Sequence, residues 1–121
     1  MKIKPEKLSL MIFIFSIASI TICSLSPKIP TPEKYNLDKF IHGGAYAGLA
    51  LLAYFFSKNQ KIFITLFVAI ITLGGIIEII QTLIPARSGT IGDFAADLIG
   101  AVCGALIAKK IKPILMRWFN D

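Results

Sequence analysis

The chain has 121 residues, 55% of them hydrophobic and 17% charged, and its mean hydropathy of +0.74 is too high for a soluble domain of this length. The net charge of +6 does not mark a nucleic-acid binder, because the basic residues lie between and after apolar blocks instead of on one folded face. No phosphate-cradling glycine loop, serine-nucleophile motif or cofactor fingerprint occurs, so no cofactor and no nucleic-acid partner are expected.

The first apolar block covers residues 8–25, preceded by Lys2, Lys4 and Lys7. It has the outline of a signal peptide, but Ile22 is too large for a good cleavage or lipid-attachment site, so the block is read as a retained helix. The following segment, SPKIPTPEKYNL, carries three prolines that forbid helix continuation. A second helix is expected over 38–56, with Asn36 or Asp38 as its N-cap. The short SKNQK connection makes a hairpin with a third helix over 62–84, which Pro85 closes. The turn ARSGTIG leads to a fourth helix over 91–108. At ~1.5 Å rise per residue each block reaches ~25 Å or more, close to the hydrocarbon thickness of a bilayer.

The expected fold is therefore all-α: one polytopic membrane domain over 1–121 with four transmembrane helices. In the tail 109–121, Ile111, Ile114, Leu115, Trp118 and Phe119 alternate with Lys110, Lys112 and Arg117 as in a short interfacial helix. Glycines at Gly44 and Gly48, Gly74 and Gly75, and Gly100 and Gly104 are expected at helix–helix contacts. Cys23 and Cys103 differ in depth and are not expected to form a disulfide. About nine lysines and arginines fall on the side of the termini against about four opposite, so the positive-inside rule predicts both termini in the cytoplasm.

Charged groups in a span cost about 2.5–3.5 kcal/mol at mid-bilayer. Here they gather near the outward helix ends: Asp38, His42 and Tyr46 at i, i+4, i+8 on helix two, Glu78 and Gln81 on helix three, Asp93 and Asp97 on helix four. Lys39 and Arg87 are the cations at the mouth. Four carboxylates against those two cations leave a residual charge for a protonated His42, a protonated carboxylate or a bound cation. His42, Glu78, Asp93 and Asp97 have ligand-type side chains, but Lys39 and Arg87 compete electrostatically, so no metal is expected.

The strings DKFIHGGAY, GGIIEIIQTLIPAR and IGDFAADLIGAVCG occur in this order and resemble the VanZ-like family, over roughly residues 38–104. The resemblance carries over Asp38, Lys39, His42, Tyr46, Glu78, Gln81, Arg87, Asp93 and Gly100. Asp97 departs from it, since the family often has asparagine there. The family is bacterial and named for a member associated with reduced susceptibility to teicoplanin, and it supplies no reaction. Three functions remain open. The pocket could bind or shield an anionic lipid-linked envelope precursor at the outer leaflet of the plasma membrane, with Asp38, Lys39, Tyr46, Gln81, Arg87 and Asp97 as ligand-binding residues. It could be an enzyme on such a lipid, with His42, Glu78 and Asp93 as catalytic candidates. Or it could be a small proton-coupled carrier using Glu78, His42 and Asp97, although no charged residue in the inner half of a span continues a relay.

Overall fold

A computed structural model describes residues 4–26, 37–85 and 90–120. These form four helices: α1 Pro5–Leu25, α2 Leu37–Phe56, α3 Gln60–Gln81 and α4 Ile91–Asn120. No strand occurs among the described residues. The expected all-α architecture is thus the observed one. The helix starts follow local chemistry. Pro5 stands in the first turn of α1, where its missing N–H is no loss. The Asn59 side chain accepts the Ile62 N–H at 2.9 Å and opens α3. The Thr90 hydroxyl accepts the Asp93 N–H at 3.0 Å and caps α4.

Three boundaries differ from expectation by three residues or more, the first being the start of α1, at Pro5 instead of residue 8. α3 ends at Gln81, and the chain continues to Ile84 as tight turns with Leu83 N–H to Ile80 and Ile84 N–H to Gln81 bonds. The tail is not a separate interfacial helix, because α4 continues through Pro113 for 30 residues. At ~1.5 Å per residue that is ~45 Å, so its last turns extend beyond a ~30 Å apolar layer. A carbonyl freed by Pro113 can there be hydrated, which lowers the cost of proline inside a helix.

The helices alternate in direction. At one end the Ser9 hydroxyl of α1 donates to the Leu52 carbonyl of α2 at 2.9 Å, and Phe13 meets Phe56 edge-on at 5.1 Å. At that end the Lys112 ammonium reaches the Tyr54 and Ser57 carbonyls at 3.1 and 3.3 Å, placing a cation at the negative end of the α2 dipole. At the other end the Gln81 amide of α3 donates to the Ser24 carbonyl of α1 at 2.8 Å.

α2 is the central helix, in contact with α1, α3 and α4, and its closest partner is α4. Three helices, α1, α3 and α4, are long and apolar enough to cross a membrane by length and composition. α2 is not among them, and Tyr46, Leu49, Ala50 and Ala53 of α2 are buried by protein. The perimeter is inverted relative to a soluble bundle: Phe15, Phe40, Ile79 and Ile99 face outward while Asp38, Glu78, Gln81, Asp93 and Asp97 are inside. Apolar residues outside and carboxylates inside suit hydrocarbon as the surrounding medium.

Glycine sets the α2–α4 spacing. A methyl at Gly100 would overlap the Gly43 backbone, and one at Gly104 would overlap the Ala47 backbone. Gly44 and Gly48, expected at a contact, have nothing within 4 Å of a built Cβ. One residue turns a helix by ~100°, so the neighbouring register of Gly43 and Ala47 faces α4 and Gly44 faces outward.

Candidate functional site

The polar residues of α2, α3 and α4 converge at the end where α2 and α4 begin. His42 Nδ1 lies 3.0 Å from Asp97 Oδ1 and 3.6 Å from Glu78 Oε1. The first distance is a hydrogen bond and the second is too long for one. The Asp97 side chain is 1% exposed, Glu78 8% and His42 13%, so the cluster is sealed by protein on most sides. Close approach of α4 to α2 through Gly100 brings Asp97, one turn earlier, against His42. Gly74 on α3 makes the remaining room: a Cβ there would lie 3.1 Å from Asp97 Oδ2 and 3.2 Å from the Tyr46 hydroxyl.

The two oxygens of Glu78 differ. Oε2 accepts the backbone N–H of Thr90 at 3.1 Å, fixing the carboxylate to the start of α4. Oε1 is buried and has no hydrogen-bond partner. A carboxylate oxygen in that state costs free energy unless something compensates it.

A second cluster lies beside the first. Lys39 Nζ stands 3.5 Å from Asp38 Oδ2 and 3.6 Å from Asp93 Oδ1. Asp93 Oδ1 is also buried without a hydrogen bond, so its contact with Lys39 is an ion pair at long range. Lys39 is 39% exposed at its side chain and bridges α2 to α4 at the rim. It is therefore shared between two acids and is not directed at the His42 group.

Of the residues singled out in sequence, Asp38, Lys39, His42, Glu78, Asp93 and Asp97 lie in these two adjoining clusters. Tyr46 is buried one turn further in, beside Asp97 and Gly74. One N–H of the Gln81 amide goes to the Ser24 carbonyl of α1, so this residue ties helices together. Arg87 lies outside the described residues. Thr90 is a residue that sequence reasoning missed. Its signal was present in the string TIGD, a capping pattern with a carboxylate three positions on.

Between α3 and α4 the cluster opens on a cavity of about 320 Å³. Gly75, Ile79, Ile91 and Phe94 make an apolar wall, and Glu78, Thr82 and Thr90 are its polar lining. Around the cluster, then, are a buried imidazole–carboxylate group, a lysine bridging two further acids and an apolar cavity between two helices.

Fold and site together define a multi-pass helical membrane protein with an ionisable cluster buried at one end of its bundle. The chain belongs to the VanZ/LLP1 family, whose model matches residues 6–116. No curated protein and no solved structure matches it.

Proposed function

We propose that this protein lies in a bacterial plasma membrane with both termini cytoplasmic and binds or shields a lipid-linked molecule of the cell envelope at the outer leaflet. The orientation is supported by charge: Lys4, Lys7, Lys58, Lys61, Lys109, Lys110, Lys112 and Arg117 lie at or beyond the end opposite the His42 cluster. The observation that carries the binding reading is the cavity between α3 and α4, apolar along most of its wall, with Glu78, Thr82 and Thr90 as its polar lining. Such a space accepts an acyl or prenyl chain, and its few polar groups fix the head by hydrogen bonds. Lys39 is held by Asp38 and Asp93, so an anionic part of the head falls to Arg87, two residues after Pro85. Sequestering such a molecule would lower susceptibility to an antibiotic that targets it, teicoplanin included.

Purification in native lipid, with mass spectrometry of what co-purifies, tests this reading. Glu78→Gln and Arg87→Ala are expected to lose the bound species and to restore drug susceptibility. An unchanged bound species and unchanged drug susceptibility in both variants would refute it. A second reading, an enzyme on the same lipid, is favoured by the His42–Asp97 hydrogen bond of 3.0 Å, which orients an imidazole for general acid–base work. It requires turnover of excess lipid that His42→Ala abolishes.

A further inference from the structure

We propose that His42, Glu78 and Asp97 form a binding site for one divalent first-row metal ion, of the manganese or zinc type. The three side chains come from α2, α3 and α4, and each offers one ligand atom within 4.8 Å of the others. Metal–nitrogen and metal–oxygen bonds of ~2.0–2.2 Å, at angles between octahedral and tetrahedral, put neighbouring ligand atoms about 2.8–3.6 Å apart. His42 Nδ1 is 3.0 Å from Asp97 Oδ1 and 3.6 Å from Glu78 Oε1, so both edges already have that length.

The second observation is independent of the spacing. Glu78 is 7% exposed, and its Oε1 has no hydrogen-bond partner while pointing at the His42 ring. A single Nδ1–H can satisfy one carboxylate, and Asp97 has it. The other Glu78 oxygen is fixed by the Thr90 N–H, which orients Oε1 as a one-oxygen ligand from outside the coordination sphere. A neutral imidazole and two carboxylates balance a divalent ion, which matters where the surroundings are apolar. The electrostatic objection from Lys39 loses its force in the folded protein, because that ammonium is paired with Asp38 and Asp93 instead. Ligand type selects the ion: one imidazole nitrogen with two carboxylates suits manganese, iron or zinc, whereas calcium requires six to eight oxygens. Three protein ligands leave coordination positions for water or a ligand head, and Glu78 lines the cavity through which they would enter.

The inference stands apart from the identity of any lipid. Its test uses the full chain in detergent, with any affinity tag removed and chelator dialysed away. Mn²⁺ is the first probe, because it disfavours the thiols of Cys23 and Cys103. The expected result is one Mn²⁺ per chain by titration and electron paramagnetic resonance, displaced by Zn²⁺ and not by equimolar Mg²⁺. Glu78→Gln and Asp97→Asn should each weaken binding at least tenfold, while Gly44→Ala, with open space around it, should leave it within twofold. His42 is the only histidine. Its ¹⁵N imidazole resonances therefore report the site in the unsubstituted protein, and Zn²⁺ should shift them. Absence of a stoichiometric Mn²⁺ ion, a Zn²⁺-insensitive His42 spectrum, or binding unchanged in both carboxylate variants would overturn the proposal. If Glu78→Gln lost the co-purified lipid yet kept full metal affinity, the metal site would fall and the lipid reading would stand.

Discussion

Gly100→Ala adds one methyl to one of the two tightest glycine contacts between α2 and α4, the other being Gly104 against Ala47. The new carbon would sit 2.7 Å from both the carbonyl carbon and the Cα of Gly43, and closer still to the carbonyl oxygen. Non-bonded carbons rest at ~3.5–4.0 Å, so α2 and α4 must part by about 1 Å. The obstacle is backbone and cannot rotate away, which puts the cost at the upper end of overpacking, about 3 kcal/mol. Exchanging glycine for alanine inside a helix returns about 1 kcal/mol, leaving a net loss of about 2 kcal/mol. Asp97 is one turn from the added methyl, so its 3.0 Å bond to His42 would open to ~4 Å, past hydrogen-bonding distance. Unfolding in mixed micelles, followed by circular dichroism, reads the stability, and the ¹⁵N spectrum of His42 reads the second effect. Gly44→Ala is the internal comparison: with nothing within 4 Å it should be neutral or stabilising by up to about 1 kcal/mol. Wild-type stability in Gly100→Ala, or an equal loss in Gly44→Ala, would refute the assignment of Gly43 and Gly100 as the contact.

Gln81→Ala should cost about 1 kcal/mol and loosen α1 from α3, seen as faster amide exchange near Ser24, because it removes the side-chain bond from Gln81 to the Ser24 carbonyl. Thr90→Val should cost about 1 kcal/mol by uncapping α4 while leaving the backbone N–H to Glu78 in place; an unchanged unfolding midpoint would dismiss the cap. Lys39→Met should destabilise by about 1 kcal/mol, and adding Asp93→Asn should recover part of it, since the double variant no longer leaves that acid without its cation. Additive losses in that cycle would show that Lys39 and Asp93 do not interact.

Much of this architecture is legible in the chain because a bilayer imposes simple arithmetic. Four apolar blocks of spanning length separated by prolines and lysines leave few alternatives to four helices, and helical rise puts Asp38, His42, Glu78, Asp93 and Asp97 at one depth. Rotation about each helix axis is harder to read. In the pair Gly43–Gly44 either residue could face a neighbour, and only the packing against Gly100 separates them by ~100°. Long side chains are similarly ambiguous. Gln81 reaches sideways to α1 and Lys112 back to the end of α2, contacts with sequence separations of 57 and 58 residues that local pattern does not encode. The tail misleads for a different reason. The apolar block stops at Ala108 and lysines follow, which reads as the end of a span, yet α4 runs on through Lys109, Lys110 and Pro113 to Asn120.

The central position of α2 bears on how the protein is made. A segment containing Asp38, Lys39, His42 and Tyr46 is a poor substrate for insertion into lipid by itself, because the translocon weighs each helix against hydrocarbon. Its closest partner, α4, is synthesised some 35 residues later. During that interval α2 must shelter against α1 and the emerging α3, or wait beside the translocon, until the Gly100 face arrives to cover it. The chain is therefore most exposed to quality-control proteases between the synthesis of its second and fourth helices, and a late change at Gly100 or Gly104 would act on biogenesis before it acted on the finished fold.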